Sequence, residues 1–273
     1  MSSEATGEEV LERPAGGPVA LHHRIDGPAD GPVVVLIHLL GGSHAMWEPQ
    51  LHALAPGHRV VRCDLRGHGA SPAPEGSYEM ADLGTDVLAL LDHIGAERAH
   101  LVGISLGGMV AMWLAARHPD RVDKLVLIST AAHLGPAERW RERAEKVRAQ
   151  GLEAIADDVV SRWFTPGYLA RQPAEVAAVR EMLVATPAAG YAACCGAIER
   201  MDLTPDLASI RAPTLAIAAA DDASTPPELL HRIARAVPGG RVVVLEDAAH
   251  LTAIERAGEV NALLLEHLGG AVL

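Results

Sequence analysis

Aromatic side chains are scarce in this chain, 3% of 273 residues with a single phenylalanine. Aliphatic residues must therefore build the core, and a hydrophobic share of 49% is enough for a sizeable one. Only three cysteines occur, Cys63, Cys194 and Cys195. The count is odd and adjacent cysteines rarely bridge to each other, so no disulfide framework is expected. No apolar run approaches the ~20 residues of a membrane span. The first twenty residues carry Glu4, Glu8, Glu9 and Glu12 where a signal peptide would have a basic start and an apolar run. A reducing cytoplasm and no membrane partner are the resulting expectation.

Positive charge is also in short supply. Lys and Arg number 23 against 35 Asp and Glu, a formal charge of −12. Such a surface repels phosphate backbones, so nucleic acid is excluded as an expected partner. Any anion that binds must be met by locally placed cations or backbone N–H groups. Internal repeats and low-complexity tracts are absent. No His, Cys or carboxylate cluster has metal-ligand spacing, and the Gly41-Gly42 loop fits neither a Walker pattern nor G-x-G-x-x-G, so no metal and no cofactor are expected.

What is present is a strand–helix alternation. Val33-Val34-Val35-Leu36-Ile37 is a continuous β-branched run of the kind covered on both faces of a sheet. Further strands are expected at 19–25, 59–63, 99–104, 124–128, 214–219 and 241–245, with helices at 47–54, 81–94 and 106–116. This order predicts an α/β chain with a mostly parallel central sheet flanked by helices. From 133 to 210 the periodicity is helical, with segments at 139–150, 152–163 and 175–183 and no convincing strand. The expected organisation is a core in two parts, 1–132 and 211–273, with an inserted helical cap at 133–210.

Between the strand at 99–104 and its helix stands Gly103-Ile104-Ser105-Leu106-Gly107, a G-x-S-x-G turn. The turn is tight enough that side chains two residues either side of Ser105 would collide, which glycine avoids. It lifts the Ser105 hydroxyl above the sheet at the positive end of the following helix.

From about residue 19 to 268 the chain, through this elbow and the turn Asp64-x-Arg66-Gly67-His68-Gly69-x-Ser71, resembles the α/β-hydrolase superfamily. The resemblance implies the chain order serine, acid, histidine. Of fourteen histidines, His250 is the one just past the final strand, and the resemblance makes it the base. The acid should follow the strand at 214–219, where Asp221 and Asp222 stand. Asp222 is preferred on its spacing to Thr225-Pro226-Pro227-Glu228, which reads as a capping box opening a helix. Oxyanion donors are expected from the backbone N–H of Leu106 and of Leu40. His38, Leu39, Trp140 and Trp163 are candidates for the substrate pocket. The turn at 64–71 reads as structural, held by Asp64 and Arg66.

Within the superfamily the chain resembles 3-oxoadipate enol-lactonases. The segments that carry this are Met46-Trp47-x-Pro49-Gln50-Leu51, Trp113-Leu114-Ala115-Ala116-Arg117-His118-Pro119, Arg162-Trp163-Phe164-Thr165-Pro166, Ala185-Thr186-Pro187 with Gly190-Tyr191-Ala192, and Met201-Asp202-Leu203. The resemblance implies a small-molecule ester or lactone substrate, namely an enol-lactone carrying a free carboxylate. Arg139, Arg141 and Arg200 are candidate cations for that group. One departure stands out, His38-Leu39 where the resemblance leads one to expect Asn-Ser. A general carboxylesterase, a cofactor-free perhydrolase of the haloperoxidase type, and a receptor that keeps only the pocket are the alternatives.

Overall fold

The computed structural model describes residues 17–269. Seven strands form one sheet in the order β1-β3-β2-β4-β5-β6-β7: β1 (His23–Asp26), β2 (Val33–Ile37), β3 (Arg59–Cys63), β4 (Ala99–Ile104), β5 (Val122–Ile128), β6 (Thr214–Ala219) and β7 (Arg241–Leu245). All neighbours pair in parallel except β1, which runs antiparallel to β3 with His23 opposite Cys63. In β4 and β6 every residue is buried, because helices cover both faces.

The sheet helices are α1 (Glu48–Leu54), α2 (Met80–His93) and α3 (Leu106–Arg117). Five more lie between β5 and β6: α4 (Ala137–Gln150), α5 (Glu153–Ser161), α6 (Pro166–Arg171), α7 (Pro173–Val184) and α8 (Ala188–Arg200). The chain closes with α9 (Pro227–Ala236), α10 (Thr252–Glu255) and α11 (Ala257–Leu268). α4 is mostly charged and buries only Trp140, Ala144 and Val147, a stripe at helical spacing that lies against α8. Among the described residues no single helix is long and apolar enough to cross a membrane.

Several boundaries differ from the expectation by one to four residues, β5 for one beginning at Val122 and not at residue 124; two of them have a cause in the side chains. The first strand begins at His23 and not at residue 19. The Val19 N–H donates to Asp86 Oδ1 and the His22 N–H to Ser71 Oγ, so side chains take up these donors before any ladder starts. The helix expected from residue 47 is preceded by a 3₁₀ turn, His44–Trp47, capped by Ser43, and Glu48 with Pro49 begins α1. The expected strands at 59–63, 99–104, 214–219 and 241–245 match residue for residue. Since β2, β4, β6 and β7 are parallel, the loops after them emerge along one edge of the sheet.

Candidate active site

β4 ends in Ile104 and the chain turns at once into α3. Ser105 occupies the turn with φ 53° and ψ −116°, a conformation side chains rarely adopt and one that costs on the order of 1–3 kcal/mol. It persists because the surroundings over-determine it. The Ser105 N–H donates to Ile128 O at 2.9 Å, and the Thr130 hydroxyl donates to Ser105 O at 2.7 Å. A Cβ on Gly103 would stand 2.2 Å from Gly107 O, and one on Gly107 would stand 2.1 Å from Ile37 O. Glycine is thus required at both places.

After β6, Asp222 is buried and its Oδ2 accepts from His250 Nδ1 at 2.8 Å. The Thr225 hydroxyl donates to the same oxygen at 2.6 Å, while the N–H groups of Ser224 and Thr225 donate to Oδ1 at 2.8 and 3.0 Å. Burial alone would raise this carboxyl; the His250 ring and the Thr225 donors outweigh it and hold the group at about 2. Asp221 is exposed, and its N–H donates to Ala248 O. The expected capping box does not form. Pro226 is the N-cap of α9, which leaves Thr225 one residue too early to cap it, and the Thr225 hydroxyl donates to the Asp222 carboxylate.

The loop after β2 is braced by two buried imidazoles. His38 Nε2 accepts from the Leu65 N–H at 2.9 Å and His68 Nε2 from the Gly41 N–H at 3.0 Å. Their protons therefore sit on Nδ1, donated to Leu39 O at 2.7 Å and to Arg66 O at 3.2 Å. Burial holds both rings neutral, lowering His38 to about 4 and His68 to about 3. His38, expected at the pocket, is not part of its wall. Both ring nitrogens are committed to backbone partners, so the ring is turned into the protein. Arg66 is likewise internal, in a two-bond ion pair with Asp86 at 2.6 and 2.7 Å.

Ser105 and His250 line one cavity, and no hydrogen bond joins them directly among the described residues. Leu39, Leu40 and Met109 form its core-side wall, with Ser224 and Thr225 beside His250. The facing wall carries Arg139, Trp140 and Arg143 from α4, Val159 from α5, Trp163, and Tyr191 and Ile198 from α8. Trp140 is fixed by its Nε1 donating to Leu134 O at 2.8 Å. Trp163 O accepts from the Leu251 N–H at 2.8 Å, tying this wall to the loop that carries His250.

The arginines separate clearly. Arg141 is bound to Glu199, and Arg200 to Glu79 and Tyr78 O, both away from the cavity. Arg139 lines it, and burial together with nearby Arg143 and Arg162 lowers its guanidinium below the usual range. Arg143, absent from the sequence candidates, also lines it and lies over the Trp140 ring, 5.0 Å from the centroid. Neither has a carboxylate partner within ion-pair distance among the described residues. The i, i+4 spacing of 139 and 143 was the signal that could have found the second.

The chain belongs to the α/β hydrolase fold family, whose profile matches residues 32–257. It is 38% identical over 243 residues to 3-oxoadipate enol-lactonase 2 of Acinetobacter baylyi, spanning 89% of this chain and 91% of that protein. The crystal structure of the enol-lactonase from Burkholderia xenovorans LB400 matches with a TM-score of 0.90 at 42% identity, covering 91% of this chain and 96% of that one. A thermophilic esterase from Thermogutta terrifontis, studied with malate bound, matches at 0.86 and 32%, covering 91% and 93%.

Proposed function

We propose that this hydrolase opens a small lactone bearing a free carboxylate, with 3-oxoadipate enol-lactone as substrate, through an acyl-enzyme on Ser105. The observation that carries the reading is that one cavity brings Ser105 and His250 together with two arginines that, among the described residues, have no carboxylate within ion-pair distance. The similarity to two enol-lactonases supports the same substrate class.

In this scheme Asp222 holds the Nδ1–H tautomer of His250, leaving Nε2 to take the Ser105 proton. The nucleophile–base bond is commonly long before substrate binds and tightens in the reacting complex. Ser105 Oγ attacks the lactone carbonyl, and the oxyanion is met by the N–H groups of Leu106 and Leu40. The ring C–O bond then breaks, and the enol oxygen leaves with the proton from His250. Because the leaving oxygen is that of an enol, less basic than an alkoxide, it departs readily, and it stays tethered to the acyl chain. Water, deprotonated by His250, releases the product acid and restores Ser105. Helices α4–α8, within 133–210, act as a cap whose Arg139 and Arg143 hold the free carboxylate.

A second reading, a carboxylesterase with a more apolar acyl group, draws on Leu39 and Leu40 in the wall and on the esterase relative. Loss of enol-lactone absorbance, followed beside a Ser105→Ala control, decides between them. Fast turnover lost in the control is the expected result. Turnover of p-nitrophenyl acetate alone would move the substrate to a plain ester. Neither activity, with no labelling of Ser105 by a fluorophosphonate, would overturn the hydrolytic reading.

A further inference from the structure

Away from the cavity, three side chains far apart in sequence converge on one point. His22 precedes β1, His44 opens the 3₁₀ turn after Ser43, and Asp64 follows β3. His22 Nδ1 lies 2.9 Å from Asp64 Oδ2, and His44 Nδ1 lies 2.9 Å from Asp64 Oδ1. The donor atoms of all three fall within 4.8 Å of one another. We propose that His22, His44 and Asp64 form a binding site for a divalent transition-metal ion of the zinc class.

The donor set selects the ion. Two imidazoles and one carboxylate suit Zn²⁺, Co²⁺ or Ni²⁺, whereas Ca²⁺ and Mg²⁺ prefer oxygen throughout. Three protein ligands leave a fourth position for water, as in open zinc sites. Bonds of ~2.0–2.1 Å in a tetrahedron put neighbouring donors about 3.3 Å apart; the two imidazole–carboxylate separations of 2.9 Å need open only by tenths of an ångström, and the two imidazole nitrogens, within 4.8 Å of each other, must come to the same spacing.

The surroundings are built as such a site requires. The Asp64 carboxylate is 1% exposed, and both oxygens are aimed by backbone N–H groups. Ala70 donates to Oδ2 at 3.0 Å, and His44 donates to Oδ1 at 2.6 Å. Outer contacts of this kind orient a metal-binding carboxylate. The imidazoles are 33% and 21% exposed, which gives an ion its entry. The His22 carbonyl also accepts the Asp64 N–H at 2.9 Å, so the backbones that carry two of the ligands are already joined. The chain's charge of −12 favours cations near its surface. A bound ion would tie the start of β1, the end of β3 and the segment four residues beyond Leu40 into one clasp. Its effect would be stability, not chemistry.

The competing arrangement is a metal-free clasp in which both imidazoles donate Nδ1–H to Asp64. Tag-free, full-length protein stripped with a chelator and titrated with ZnCl₂ separates the two. One equivalent should bind by calorimetry, and Tm should rise by about 5–10 °C at a hundredfold excess over Kd. His22→Ala and His44→Ala should each abolish that rise. Absence of binding, or a Tm rise that survives both substitutions, overturns the proposal. Should either variant fail to fold, CoCl₂ added to the unaltered protein replaces it as the test. Paramagnetic shifts of the His22 and His44 ring protons are expected, and shifts confined to other histidines would overturn the site.

Discussion

The strand ends and the α4–α8 helices face the same cavity, but they hold their side chains in different ways. On the sheet side each polar group is fixed several times over. Asp222 accepts four hydrogen bonds, Ser105 is held by steric exclusion around Gly103 and Gly107, and the Leu39–Gly41 loop hangs on two neutral imidazoles. On the helical side Arg139 and Arg143 have no carboxylate within ion-pair distance among the described residues, and Arg143 rests on the Trp140 ring. Under the proposed function, the difference would put reactivity on the rigid side and selectivity on the side whose residues can be exchanged without unmaking the site. Asp222→Asn breaks the first half most sharply. It should lower kcat on the order of 10⁴-fold for every substrate alike, because the His250 tautomer is lost. A loss confined to one substrate would break the comparison itself.

The next effect is on stability. An imidazole held neutral in the fold at about 4 or about 3 takes up no proton where the unfolded chain, near 6.5, does. The stability that His38 and His68 contribute is therefore complete above pH 6.5. It falls as pH drops from 6.5 toward about 4 for His38 and about 3 for His68. The slope is about 1.4 kcal/mol per pH unit for each histidine, or roughly a hundredfold per unit in the folding constant for the pair. Asp222, depressed to about 2 from 3.8, adds a loss only below about pH 4. Urea midpoints between pH 7 and 4 measure this, and His68→Asn, which keeps an acceptor but does not titrate, should flatten the curve. An unchanged slope would mean that the imidazole does not titrate with unfolding.

The helical half is tested by Arg139→Gln combined with Arg143→Gln. KM for a carboxylate-bearing lactone should rise roughly 10–100-fold, the loss of one or two charged hydrogen bonds. Hydrolysis of p-nitrophenyl acetate, which has no free carboxylate, should be nearly unchanged. Equal loss on both substrates would place the arginines in the folding of the site and not in its selectivity.

The same contrast decides what could be read before the fold was known. β4, β6 and β7 are legible to the residue because each is a short, mainly aliphatic run with a polar residue close behind it, Ser105, Asp221 and Glu246 in turn. Ser105 stands out through the glycines around it, and Asp222 and His250 through the strands before them. The start of β1 is not legible, since it turns on Asp86 and Ser71 taking donors from residues 67 and 49 positions away. Neither is the orientation of His38, nor the service of Thr225 to Asp222 in place of α9. Each depends on a partner chosen in three dimensions. His22, His44 and Asp64 show this most plainly, with separations of 22 and 20 residues that match no ligand spacing.

The smallest effect sharpens the comparison most finely. Arg141 stands on the same helix as Arg139 and Arg143 and carries the same charge, but its guanidinium is bound to Glu199 and about half exposed. If the carboxylate is held by local contact, Arg141→Ala should leave KM for the lactone unchanged, because a paired and solvated charge adds little at that distance. Tm should move by no more than ~2 °C. A KM rise matching that of the Arg139 and Arg143 substitutions would mean that α4 acts through its summed positive field, and raising the salt concentration would then erase the difference. Insensitivity to salt, with Arg141→Ala silent, leaves direct pairing inside the cavity as the source of selectivity.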